Sequence, residues 1–176
     1  MVCWCMIHVR REGCQLNFGV DTNWILQMTH KEDCFHLGAK ALIHNNEGLV
    51  LLLQKNSKPQ KHNEQPWDLP GGRIQKNESL EEALKREIHE ETGLQNITCI
   101  NPFTIVLSHI RIPLQEGDVG LIFAVYLCNL ADDNQTIYLS DEHLRYDWVN
   151  PAEAAKLLAP GYPIELREKI AKLKAL

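Results

Sequence analysis

The chain has 176 residues, of which 44% are hydrophobic and 23% charged, with a formal net charge of −5. That length suits one domain with a real core, and the balance excludes a disordered or collagen-like chain. The negative charge argues against general nucleic-acid binding, which draws on clustered Lys and Arg, and no apolar run reaches the ~20 residues that a membrane helix needs.

Residues 1–35 read as an N-terminal extension to a domain of residues 36–176. Its apolar stretch at 2–9 is short and is followed by Arg10 and Arg11, whereas a signal peptide carries its positive charge first. Cys3, Cys5, His8 and Cys14 match no closed zinc set, and Met28 is a candidate start. The six cysteines lack the dense spacing of a secreted disulfide scaffold, which points to a reducing cytoplasm.

Apolar segments at 37–43 and 49–53 flank Asn45-Asn46-Glu47-Gly48, a turn composition, and predict a hairpin. Residues 55–65 form a polar stretch whose Lys55, Lys58 and Lys61 are expected in solvent. Trp67-Asp68-Leu69 reads as a short strand that Pro70-Gly71-Gly72 must end. Ser79 with Glu82 is a capping box and Gly93 a C-terminal stop, so the spacing predicts a helix over 80–92. Strands follow at 103–110, 120–130 and 144–149, then helices from Asn150 to about Leu158 and over 163–173. This alternation gives an α+β fold or an α/β/α sandwich.

The helix at 80–92 carries an anomaly. Wound at roughly 100° per residue, it puts Leu80, Leu84 and Ile88 on one stripe with Glu87 and Glu91 inside it and Glu90 on its edge. Glu81, Glu82, Lys85 and His89 take the opposite side. Carboxylates gathered on an inward face repel one another and resist desolvation unless cations compensate them. Glutamates at i, i+3 and i+4 bring hard oxygen ligands to one spot, which suits Mg²⁺ shared with substrate phosphates. Arg86 adjoins the cluster and can pair with it.

Gly72, Glu78 and then Arg86-Glu87-Ile88-His89-Glu90-Glu91-Thr92-Gly93-Leu94 resemble the complete Nudix box, with all seven fixed identities and both aliphatic positions filled. At roughly one in fifteen per fixed residue, chance agreement at a given site is on the order of one in 10⁸. The resemblance implies a mixed sheet between helices and hydrolysis of a phosphoanhydride in a small-molecule nucleotide, with Mg²⁺ as cofactor and Mn²⁺ as a substitute. It implies that Glu87, Glu90 and Glu91 ligate metal with a carbonyl of Gly71 or Gly72, that Arg86 orients a glutamate and that Glu78 braces the loop. Glu142 is the candidate acid from outside the box, with Glu116 and Asp118 as competitors, and Glu87 or Glu142 is the candidate base.

Substrate choice is less legible. ADP-ribose hydrolases of the family are associated with a proline sixteen residues past the box glycine, where this chain has His109. Trp67, Phe123 and Tyr126 are expected in the core rather than against a base. Two other functions stay open: a binding module without turnover, and an isomerase, which would need an activated thiol where Cys99 and Cys128 stand in apolar segments.

Overall fold

Side-chain alternation along the strands dictates a sheet with two buried faces. The first strand, β1 (Phe35–His44), sends Ala39, Ala41 and Ile43 to one face and Leu42 to the other. The second, β2 (Val50–Lys55), divides Leu51 and Leu53 from Val50 and Leu52 in the same way, and all eight are at most 1% exposed. The computed structural model describes residues 33–56, 66–115, 117–132, 134–158 and 161–173, apart from the side chains of Thr98 and Cys99. The expectations for residues 1–32, for Lys58, Lys61 and Glu116, and for the Cys99 thiol therefore lie outside the described residues.

The remaining elements are β3 (Trp67–Asp68), α1 (Leu80–Thr92), β4 (Ile97–Pro113), β5 (Asp118–Leu130), β6 (His143–Val149), α2 (Pro151–Leu157) and α3 (Ile164–Ala171). The strands lie in the order β3-β2-β1-β5-β4, with β6 paired along β2. β1 and β5 run parallel from Phe35 opposite Gly120 to His44 opposite Asn129, while the other pairs are antiparallel, so the sheet is mixed. Ala83, Leu84 and Ile88 of α1 close one face; Ala154 of α2 and Leu166 and Ile170 of α3 close the other. The result is the α/β/α sandwich of the α+β class that the element pattern implies.

Two connections position the acidic helix and the glycine turn beside it. After β3 the chain runs along β1: the Pro70 and Gly72 carbonyls accept from the Ala41 and Ala39 N–H groups at 2.8 and 2.9 Å, and Ile74 N–H donates to Leu37 at 3.2 Å. The two-glycine turn is thereby pinned to the sheet by backbone bonds, beside the residues that lead into α1. The helix starts at the reciprocal Ser79–Glu82 capping box and stops at Gly93, left-handed at φ 72°.

Two expectations need correction. The strand expected over 103–110 extends across Ile97–Pro113, because register shifts at Thr98/Asn101, Pro102/Thr104 and Leu107/Arg111 absorb residues that break the strand pattern. Lys55 belongs to the end of β2, opposite His143, and its ammonium is ion-paired with Asp68 at 2.6 Å although the side chain stays 42% exposed. Among the described residues no helix is long and apolar enough to cross a membrane.

Candidate active site

Gly71 and Gly72 are the floor that Glu91 and Glu87 of α1 reach. Gly71 adopts φ 126°, and a Cβ there would lie 2.2 Å from the Ala39 carbonyl oxygen; a Cβ on Gly72 would lie 2.3 Å from Glu87 Oε1. Gly71 is therefore demanded by its φ and by close approach to the β1 backbone, whereas a side chain on Gly72 would push the Glu87 carboxylate out of its place. Glu91 reaches the same turn and accepts the Gly71 N–H on Oε2 at 2.7 Å.

Arg86 organises the other side. Its guanidinium forks onto Glu78, with Nε to Oε1 at 2.7 Å and Nη2 to Oε2 at 3.0 Å, while Nη1 donates to Glu87 Oε1 at 2.8 Å and Glu90 Oε2 at 3.0 Å. Glu78 in turn accepts the Gln75 N–H at 2.9 Å, so the loop before α1 is braced through Arg86 to the helix. These charge-assisted bonds explain a guanidinium held more basic than usual, Glu78 contributing most.

The three glutamates differ in setting. The Glu91 side chain is 11% exposed, that of Glu87 17% and that of Glu90 57%. Glu90 thus lies further out than the edge of a buried stripe, because Arg86 draws its carboxylate over the surface. Burial pushes the Glu91 carboxyl up to about 7, against the opposing pull of Lys40 and the Gly71 N–H. A desolvated acid of this kind is short of positive charge. The donor set of carboxylate and carbonyl oxygens has the chemistry a Mg²⁺ ion takes. Among the described residues, however, no three His, Cys, Asp or Glu side chains converge as an ion cage. Arg86 holds Glu87 and Glu90, the Gly72 carbonyl pairs with Ala39, and the Gly71 carbonyl accepts from Lys40 Nζ at 2.5 Å. A carbonyl oxygen with two lone pairs retains capacity for a second partner.

The outlying acids separate clearly. Glu142 is exposed next to the buried His143: its backbone carbonyl accepts from Asn56 N–H at 2.7 Å, and its charge acts on Lys55 and His143. Asp118 is committed to Arg111 at 2.5 Å and is not part of the cluster.

His143, Lys40, Asp68 and Tyr162 escape the sequence pattern as members of this cluster, and Lys55 enters that pattern only as a solvated lysine. His143 is buried with Nε2 3.8 Å from Glu91 Oε1, and burial lowers its pKa. Lys40 and Asp68 form a buried ion pair at 3.0 Å; Lys55 Nζ joins Asp68 at 2.6 Å, and Tyr162 donates its hydroxyl to the same carboxylate. A lysine amid the apolar run of β1 was the signal available; its partner lies 28 positions on, beyond any local period. Trp67 is stacked by Arg145 at 5.0 Å, Phe123 is 7% exposed in the core, and burial raises the Cys128 thiol to about 12, the opposite of activation.

A family model described as NUDIX domain matches residues 35–171. The nucleoside triphosphatase NudI of Salmonella typhimurium is 38% identical over 94 residues, covering 51% of this chain and 64% of that protein, so the chain spans just under two thirds of the relative's length. The crystal structure of a MutT protein from Methanosarcina mazei Go1 is 33% identical, covers 79% of this chain and 92% of its own, and superposes with a TM-score of 0.52. The E. coli dihydroneopterin triphosphate pyrophosphohydrolase, at 21% identity, covers 80% and 97% with a TM-score of 0.61 and attests the fold alone.

Proposed function

The chain belongs to the NUDIX domain family, and from that premise we propose that it hydrolyses a phosphoanhydride bond in a nucleoside triphosphate or nucleoside diphosphate derivative. The observation that carries this is the buried Glu91 carboxylate on the Gly71 N–H, with the Arg86-linked Glu87 and Glu90 on the same helix. The triphosphatase name of a 38% identical relative favours a nucleoside triphosphate as substrate.

Glu87, Glu90 and Glu91, with the Gly71 or Gly72 carbonyl, would hold Mg²⁺, or Mn²⁺ in its place, and Glu142 is the acid we assign from outside the box. Bound there, the ion would neutralise phosphate charge and make a water molecule more acidic. Arg86 fixes where Glu87 and Glu90 stand, and Glu78 fixes Arg86. Glu87, partly open and packed on Gly72, is suited to take the proton of the attacking water; Glu142, exposed beside His143, is the alternative base. Products are a nucleoside monophosphate, or another phosphate ester, and the remaining phosphorylated group, and the cysteine usage suits work in the cytoplasm.

The test is a panel of nucleoside triphosphates, dinucleoside polyphosphates, ADP-ribose, NADH and coenzyme A, assayed with Mg²⁺ and with chelator. The expected result is chelator-sensitive hydrolysis of at least one compound and a loss of roughly 100-fold or more in kcat for Glu91→Gln. Equal rates for Glu91→Gln and wild type on the best substrate would remove Glu91 from the site.

A further inference from the structure

Lys40 stands in the middle of β1 between Ala39 and Ala41, 6% exposed, and takes no part in the chemistry just described. A buried ammonium is costly unless it is both paired and fully hydrogen-bonded. It has three acceptors: Asp68 Oδ2 at 3.0 Å, the Leu69 carbonyl at 2.9 Å and the Gly71 carbonyl at 2.5 Å. Asp68 is itself fixed by Lys55 Nζ at 2.6 Å, by the Tyr162 hydroxyl and by the Leu69 N–H at 2.9 Å.

Neutralising Asp68 needs only the first of those three bonds. The other two go to main-chain oxygens of the turn that carries the acidic site, and one of them belongs to Gly71. That residue has no side chain with which to pack and holds a left-handed φ of 126°, so its conformation must be imposed from outside. It is gripped on both flanks, at the carbonyl by Lys40 and at the N–H by Glu91 Oε2.

We propose that Lys40 is a positioning residue for the reaction assigned above: its ammonium locks the Gly71 turn, and the turn's N–H then fixes where the Glu91 carboxylate stands. The proposal rests on that functional reading, but its structural half is tested without it.

Lys40→Met keeps length and removes the donors; Tyr162→Phe loosens the same network at Asp68 and removes a long 3.4 Å acceptor for the Leu69 N–H, but leaves both Gly71 contacts in place. Three measurements separate them: thermal midpoint, steady-state kinetics with Mg²⁺ on the best nucleotide, and amide hydrogen exchange at Gly71 followed by NMR in the metal-free protein. Lys40→Met is expected to lower kcat about 10- to 100-fold, the usual effect of losing a group that orients a site ligand. KM should stay within about threefold, since no substrate contact is removed, and the Gly71 amide should exchange at least about tenfold faster. Tyr162→Phe is expected to lower the midpoint alone. Where Lys40→Met does not fold, Lys40→Gln, which keeps donors but no charge or full reach, carries the same comparison.

If the lysine variant loses stability while kcat per folded molecule and Gly71 exchange remain at wild-type values, Lys40 merely balances Asp68 and the proposal is overturned. Failure of wild type to hydrolyse any compound sinks the functional reading instead, and the Gly71 exchange rates still decide whether Lys40 holds the turn.

Discussion

Asp68 shows how far single residues depend on partners the sequence does not announce. Burial alone would raise its pKa, yet Lys40 and Lys55 hold the carboxyl well below the usual carboxylate range. The folded state therefore binds this proton less readily than the unfolded chain, whose Asp titrates near 4. The stability contributed by Asp68 is fully present above about pH 4 and is lost as pH falls toward the depressed folded value. Asp68→Asn leaves two lysines facing a neutral amide and should cost about 3–5 kcal/mol at pH 7, the range for a broken buried pair. Urea unfolding from pH 7 to pH 2.5 should show that gap narrowing below about pH 4, and a constant gap would show that the carboxylate charge is not what Asp68 supplies. None of this is visible in the sequence. Periodicity reports which face a residue occupies, whereas the pairing of Lys40 with Asp68 depends on how β3 is laid beside β1 and β2, which only the assembled sheet decides.

At the scale of elements, legibility tracks local punctuation. The helix α1 has the bounds its signals imply, because Ser79, Glu82 and Gly93 act on backbone groups within one turn of themselves. β4 reads too short from its residues, since Pro102 and polar residues interrupt its pattern and the bulges that accommodate them arise from pairing with β5. The helical wheel places Glu91 on the inner face correctly but overstates Glu90, whose direction is set by its bond to Arg86 rather than by angle alone. The capping box offers a check on whether helix stability and site geometry are separable. Ser79→Ala removes the oxygen that accepts the Glu82 N–H at 3.2 Å and should lower stability by about 1 kcal/mol. Because Arg86 still ties Glu78 to Glu87, kcat on the best substrate should change less than about threefold. Thermal unfolding and steady-state kinetics on the same samples report the two effects, and a collapse in kcat without loss of stability would mean that the first turn itself shapes the site.

For the whole molecule the question is how the two halves of the core share the sheet. Ile88 of α1 packs with Ala39, Ala41 and Leu51 on one face, and Ile170 of α3 packs with Leu42, Leu52 and Phe123 on the other. Both isoleucines are 0% exposed, so Ile88→Val and Ile170→Val should each cost about 0.5–1.5 kcal/mol from the lost methylene. The sheet backbone stands between them and they belong to separate clusters, so the double variant should lose the sum to within about 0.5 kcal/mol. Function should divide where stability does not. Ile88 adjoins Glu87 and underlies the helix that carries the acids, so its shortening lets α1 settle toward the sheet and should lower kcat severalfold. Ile170 lies behind the sheet, and its variant should hydrolyse at the wild-type rate. Denaturant unfolding of the two single variants and the double variant measures the coupling. A coupling above about 1 kcal/mol would mean that strain passes through the sheet, and that the acidic face is tuned by the packing of α3 as well as by its own residues.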